Sequence, residues 1–410
     1  AKERRCADGE DQRHRDRGAD GQRRGEQRAA EQGPVEIRKA RPGPSADHDL
    51  ADQIIHCVLA RTDDGEASRP EVSLFIVEGG AAQRSSVMVR RVEKKLGLLG
   101  SPTCVLGFEN AKATLVGTPG RGLAQMFVMI TQMRLSVGAM GLGIASACAD
   151  IARQYASERR QGGAPGDPVP IMEHADIKRE LLDMISRTEL LRGLIFSTAN
   201  AADIAARSTN EADAQEMGAL VRWLLPIVKT FGANASFANA DRAIQVLGGA
   251  GYTKEWPVEQ ALRDARVLSV FEGTSGIQAL DLVHRRVLKD RASLDAFLKT
   301  ARASTNDGRA QVCFDLLEDA AARLERAEPG SGIAEAAATH FLDLAILAAG
   351  SWIAASFLEN ETGNDMQPEL LAASHYWLDI LDARSQYLHA CICNSSAALR
   401  AFSILGAQQT

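Results

Sequence analysis

The chain has 410 residues and a mass of 44.0 kDa, enough to bury a sizeable core and to hold two or three domains. With 45% hydrophobic but only 5% aromatic residues and abundant alanine, it reads as a helix-rich protein of the cytoplasm. A net charge of −6 gives no footing for nucleic acid or an anionic membrane as partner.

Seven cysteines, at 6, 57, 104, 148, 313, 391 and 393, are odd in number, scattered and free of CxxC spacing. They read as small apolar core residues in a reducing compartment rather than disulfides or metal ligands. The polar N-terminus lacks the apolar run of a secretory signal. The most apolar stretch, 341–358, contains Asp343 and many small residues, so a buried helix is expected there and no membrane span.

In chain order, residues 1–45 are crowded with Arg, Asp, Glu, Gln and Gly, and Val35 and Ile37 are the only large aliphatics before Leu50. No core can form there, and a disordered arm is expected. Four apolar runs follow, IIHCVLA (54–60), VSLFIV (72–77), VMVRRVE (87–93) and TCVLGFE (103–109). Turn-forming clusters between them mark a small antiparallel β domain, 46–118. VMVRRVE alternates, whereas IIHCVLA and VSLFIV are nearly continuous and are expected to be buried on both faces.

Helical periodicity then takes over. A first helix spans 122–161, where Gly138, Gly141 and Gly143 permit close helix contact without the GxGxxG spacing of a phosphate loop. A second, 176–207, points Ile177, Leu181, Met184 and Leu191 inward and leaves Lys178, Arg179, Asp183 and Arg187 on the wet side. His174 before it reads as a loop or capping residue. A third runs from about 219 to 247, with Pro226 as a kink, and ends in GGAGY (248–252). A fourth contains VEQALRDAR and a fifth begins near Gly276, giving a helical bundle over 119–290. Residues 291–410 stay helical to about 407, broken by a loop at 360–367, with Phe341, Leu344, Trp352 and Trp377 among the core candidates.

One stretch in the bundle carries chemistry: RDARVLSVFEGTSGIQALD, 263–281. The β-branched segment Val267 to Val270 leads into a small-residue corner of Gly273, Thr274, Ser275 and Gly276. Glu272 stands in it, with Val270 and Phe271 as an apolar wall. Desolvation there would raise the carboxyl's proton affinity and suit it to general base catalysis near neutral pH. The alternative is a solvated Glu in a polar turn.

This stretch resembles the base-bearing loop of acyl-CoA dehydrogenases. Three further blocks are similar to that family in the same order: EKKLGLLGSPTCVLGFENA with VGTPGRGLAQMF (93–127), MRLSVGAMGLG with YASERRQGG (133–163), and AIQVLGGAGYTKEWPVEQ (243–260). The likeness spans 46–290 and starts abruptly at Asp47-His48-Asp49-Leu50. The helical N-terminal domain and the TEP-x-x-G-[ST]-D flavin motif of the family are not found upstream. Residues 1 to about 45 are therefore expected to come from a truncated or out-of-frame gene reading.

The resemblance implies a mainly α fold with a partial middle β domain, a four-helix-bundle-type domain and a C-terminal helical extension. Long family members, such as 3-(methylthio)propanoyl-CoA dehydrogenases, have that form. It implies FAD-dependent α,β-dehydrogenation of an acyl-CoA thioester to 2,3-enoyl-CoA, with electrons passing to an electron-transfer flavoprotein. Glu272 would be the base and Gly273 would border the substrate, while Arg134 would meet the CoA portion. Gln245, Gly248, Gly249 and Thr274 would contact FAD. Arg159 and Gln161 would contact the FAD of a neighbouring subunit, which implies a homodimer or larger homo-oligomer. No metal is implied. Thr131 stands where the family carries an aspartate. Plainer readings exist for the same residues: an ion pair for Arg134, a basic helix end for Arg159, a glycine helix stop for Gly248. Two other functions stay open, a flavin-free assembly protein and an acyl-CoA oxidase.

Overall fold

The structure, a computed structural model, describes residues 35–37, 44–45, 53–62, 71–80, 86–359 and 367–407. Most of the expected arm at 1–45 and the loop at 360–366 lie outside the described residues. The chain divides into two compact units, 1–130 and 131–410.

The first unit is antiparallel β structure. Strands β1 (Val35–Ile37), β2 (Pro44–Ser45), β3 (Gln53–Arg61), β4 (Val72–Gly80), β5 (Val87–Val92), β6 (Cys104–Phe108) and β7 (Ala111–Val116) form two sheets, ordered β1-β7-β4-β3 and β2-β6-β5. Val35–Ile37 pairs with 111–113 and Pro44–Ser45 with 104–105, so pairing reaches upstream of the expected domain start at 46. The inner faces meet over Val58, Phe75, Val77, Val87 and Leu106.

Two sequence expectations change in this unit. β3 lies at a sheet edge and alternates: His56, Val58 and Ala60 are buried, while Ile55 and Cys57 face solvent. A continuous apolar run is buried on both faces only where another layer packs against each. β7 has no counterpart among the predicted strands. It alternates buried Ala111 and Ala113 with exposed Lys112 and Thr114 after a left-handed Asn110 at φ 50°. Alanine is depleted in strands, so sequence pattern understates it.

The second unit is helical. Its elements are α1 (Gly122–Glu158, from residue 131 on), α2 (Ala175–Arg207), α3 (Glu211–Leu247), α4 (Val258–Ala265), α5 (Ser275–Val283), α6 (Ala292–Ala303), α7 (Gly308–Arg326), α8 (Ile333–Glu359), α9 (Pro368–Asp379), α10 (Leu381–Cys393) and α11 (Ser396–Ala407). α3 starts eight residues earlier than its periodicity predicts. Asn210 caps it by accepting from Ala212 N at 3.0 Å, a signal weaker to the eye than the apolar run that follows.

The expected boundary at 290 is not a boundary in packing. One core cluster takes side chains from 145 to 392. At its centre Trp223 of α3 stacks on Phe297 of α6 with ring centroids 6.0 Å apart, and Phe297 meets Phe314 of α7 and Trp352 of α8 edge-on. The C-terminal helices complete the bundle because α3 is apolar nearly all round and needs cover on every side. By length and composition alone two described helices could cross a membrane. The most apolar window of α8 is 72% buried inside the protein, as the sequence leads one to expect; that of α1 is 39% buried.

Asp183, expected on the wet side of α2, is buried. Arg384 of α10 donates to its Oδ1 at 2.9 Å and Arg187 to its Oδ2 at 2.5 Å. These guanidinium partners outweigh the cost of burial and hold the carboxyl below the usual carboxylate range. Cys104, Cys148 and Cys313 are buried as expected, but Cys57 and Cys393 are exposed.

Asn239 of α3 ties three helices together. Its Nδ2 donates to Ala145 O of α1 at 3.1 Å, and to Met184 O and Thr188 Oγ1 of α2 at 3.2 and 3.0 Å. Asn239→Ala is expected to cost about 2 kcal/mol of stability, read as a lower denaturant midpoint at unchanged slope.

Candidate active site

The corner that carries Glu272 is built where α1 meets α3. The crossing is possible because both helices present glycine: a Cβ on Gly141 would stand 2.2 Å from Gly232 O, and one on Gly138 would stand 2.4 Å from a Val228 methyl. Leu268 is buried with Val137 of α1 and Ala233 of α3, and Val267 and Phe271 pack on the same cluster. The β-branched segment is folded as a tight 3₁₀ turn, Arg266–Ser269, closed by Val270 N and Phe271 N donating to Val267 O at 2.8 and 3.0 Å. Anchoring Leu268 inward turns Val270 out: it is 49% exposed, and Phe271 alone remains as apolar cover.

The turn delivers Glu272 in the left-handed region at φ 53°, followed by Gly273 at φ 89°. For a residue with a side chain this costs about 1 kcal/mol or more. Two buried side chains hold it there. Gln278 Nε2 donates to Glu272 O at 3.1 Å and Lys229 Nζ donates to Gly273 O at 2.9 Å. A Cβ at position 273 would also crowd the Gln278 side chain, lying 3.0 Å from its Nε2. Thr274 then starts α5, its hydroxyl accepting from Ile277 N at 3.3 Å.

Burial raises the Glu272 carboxyl above the ordinary carboxylate range, against the opposing pull of Lys229 and Arg134. Lys229, whose side chain is fully buried, is pushed down from 10.5 to about 8 by burial, with Glu272 opposing and Arg134 assisting. Glu272 Oε2, Ser275 Oγ and Gln278 Oε1 are shielded from solvent and have no hydrogen-bond partner among the described residues.

Arg134, which the resemblance gives to the CoA portion, is held in an ion pair with α5. It is buried, and its Nη1 donates to Asp281 Oδ2 at 2.9 Å; Arg285 holds the other oxygen at 3.3 Å. The Thr131 side chain lies outside the described ones.

A cavity elsewhere in the bundle gathers most of the residues predicted to bind the cofactor. Arg159, Gln161, Gln245, Gly248 and Gly249 line a concavity of about 800 Å³ together with His174. The α1 end and the following loop are fixed by Ile171 N donating to Arg159 O at 2.7 Å and Gln161 N to Val169 O at 2.9 Å. His174 donates from Nε2 to Gln161 O at 2.8 Å, so the residue read as a cap also braces the cavity wall. Gly248, at φ 61°, ends α3. A Cβ at Gly248 or Gly249 would meet nothing within 4 Å, which leaves bare backbone facing open space. A guanidinium, amides and exposed peptide groups around a cavity of this size suit a phosphate-bearing, flat-ringed ligand. Thr274 sits apart from this group, at the Glu272 corner.

Sequence reasoning missed Lys229, Gln278 and Asp281. Lys229 was findable: it is the one charged residue in the largely apolar run from Leu224 to Phe231, where an unmatched charge marks function or a buried partner. Among the described residues no cluster of His, Cys, Asp or Glu could hold a metal ion.

Residues 120–288 match the family described as acyl-CoA dehydrogenase, C-terminal domain. The 3-methylmercaptopropionyl-CoA dehydrogenase of Ruegeria pomeroyi is 40% identical over 255 residues, covering 60% of this chain and 43% of that protein. The broad-specificity linear acyl-CoA dehydrogenase FadE5 of Mycobacterium tuberculosis is 35% identical over 263 residues, 59% of this chain and 43% of that protein. The chain thus spans less than half the length of these relatives. In fold it is similar to Caenorhabditis elegans ACDH-11, solved with C11-CoA, at a TM-score of 0.70 and 20% identity over 84% of this chain and 60% of that one. It is also similar to an acyl-CoA dehydrogenase from Bacillus anthracis solved with FAD, at 0.64 and 20% identity over 89% of this chain and 67% of that one. The segment that matches the family model runs from just before α1 to just beyond α5 and so contains both the Glu272 corner and the residues that line the concavity.

Proposed function

We propose that this chain supplies the base-bearing part of an FAD-dependent dehydrogenase that converts an acyl-CoA thioester to its 2,3-enoyl-CoA, passing electrons to an electron-transfer flavoprotein. The observation that carries the reading is the Glu272 carboxyl, held in a strained, desolvated corner with its proton affinity raised and one oxygen unpartnered. The α-proton of a thioester is weakly acidic, and a carboxylate takes it more readily when burial has strengthened it as a base. Glu272 Oε2, which has no hydrogen-bond partner among the described residues, is the atom that would receive the proton. Lys229 and Arg134 oppose that rise by favouring the charged carboxylate.

FAD, when bound, supplies the acceptor for the β-hydride. Arg159, Gln161, Gln245, Gly248 and Gly249 would hold it through guanidinium and amide contacts and bare backbone at the concavity. The family resemblance gives Arg159 and Gln161 to the cofactor of a second subunit, so the working form is a homodimer or a larger homo-oligomer. The dispersed cysteines, free of CxxC spacing, suit a reducing cytoplasm.

Gly249→Leu tests the cavity without straining the fold, since the new side chain enters open space. FAD affinity is expected to fall about tenfold or more, a loss of roughly 1.4 kcal/mol or greater, while the melting temperature without FAD stays at the parent value. A flavin titration followed by protein fluorescence measures both proteins. Undiminished affinity would remove the concavity from the reading.

A further inference from the structure

We propose that Lys229 and Gln278 are positioning residues for the Glu272 carboxyl, and that Lys229 sets how readily that carboxyl takes a proton. The inference rests on Glu272 being the base and adds how the chain presents it.

The case starts from geometry. Two successive carbonyls, those of Glu272 and Gly273, are gripped from opposite elements: Gln278 reaches back from α5 and Lys229 across from α3. Both side chains are fully buried, so neither donor has water as an alternative and each bond resists loosening. A left-handed backbone at a glutamate persists only where its surroundings over-determine it, and this pair supplies that determination on both sides of the peptide. The corner is thereby fixed in the conformation that turns the carboxyl inward.

Charge gives Lys229 its second role. The groups acting on the Glu272 carboxyl are Lys229 from α3 and Arg134 from α1, and Arg134 is matched by Asp281 of α5 through a 2.9 Å bond. Lys229 has no carboxylate within ion-pair distance among the described residues, and its described hydrogen bond goes to a neutral carbonyl. Its charge is therefore less compensated than that of Arg134 and acts on the carboxyl with less cancellation.

The test uses flavin-free protein and the ¹³C NMR titration of glutamate carboxyls, with Glu272 assigned by its disappearance in Glu272→Gln. In Lys229→Met, which keeps the length and loses both donor and charge, the Glu272 carboxyl should titrate at higher pH than in the parent. In Lys229→Arg it should return towards the parent. Gln278→Leu removes a tether and leaves the charge, so it should shift the amide resonances of 272–274 and leave the carboxyl titration in place. If Lys229→Met does not fold, Lys229→Gln, which keeps a neutral donor, must show the same upward move. In FAD-loaded protein the acid limb of the kcat/KM profile should follow the NMR shift. A Glu272 titration that ignores the charge at position 229 overturns the proposal. This result is separable from failure of the base assignment, which turnover of Glu272→Gln reports independently.

Discussion

Glu272→Gln is expected to lower the rate of acyl-CoA dehydrogenation by on the order of 10³-fold or more, with FAD affinity and fold unchanged. The amide is nearly isosteric with the carboxyl, so the corner keeps its shape and the bonds from Gln278 and Lys229, which go to main-chain carbonyls. What disappears is the only feature the reaction demands of this position, a lone pair able to take a proton. Burying a neutral amide also avoids the desolvation of a carboxylate, so thermal stability should hold or rise slightly. Glu272→Asp separates chemistry from placement: the base survives but is withdrawn by one carbon, a displacement that can cost about 10²-fold. Single-turnover bleaching of the flavin by acyl-CoA reads both variants. Parent-like bleaching in the Gln variant would refute the assignment.

The second large effect falls on the glycine crossing of α1 and α3. Gly141→Ala puts a methyl 2.2 Å from Gly232 O and 2.8 Å from Gly232 Cα. Both obstacles are backbone, which cannot rotate away as a side chain can. The better helix propensity of alanine returns about 1 kcal/mol, whereas forced separation of packed helices costs about 3 kcal/mol, so the variant should be less stable by about 2 kcal/mol. Gly143→Ala, one half-turn on in the same helix, meets nothing within 4 Å and should be neutral or stabilising by up to about 1 kcal/mol. Urea unfolding of the two variants gives opposite signs if the crossing is as tight as described; equal effects would argue against it. Arg134, Gly138 and Gly141 lie on one face of α1, so Gly141→Ala should also disturb the pairing of Arg134 with Asp281 next to the base.

Much of this was legible in the sequence, for identifiable reasons. Helices with apolar periodicity were placed within a few residues, apart from the start of α3, and the small-residue corner around Glu272 stood out against them. Family likeness gathered Arg159, Gln161, Gln245, Gly248 and Gly249, and the structure sets these five in one cavity. The rest depended on contacts between distant segments. Nothing near Arg134 in sequence announces Asp281, 147 positions away, and nothing near Asp183 announces Arg384. Lys229 and Gln278 act on main-chain carbonyls, a use that leaves no motif. β7 was overlooked because its inward residues are alanines, and the division at 290 was drawn where catalytic motifs stop, although packing continues.

That continuity bears on how the molecule comes into being. The ring cluster of Trp223, Phe297, Phe314, Phe341 and Trp352 is stitched from segments that leave the ribosome far apart in time. A nascent chain translated only as far as Glu272 exposes Trp223 and the flank of α3 with no partner to cover them. Synthesis must run on through α8 before the reactive corner has a solid foundation, which makes the interval between those two points the period when a chaperone would have most to hold.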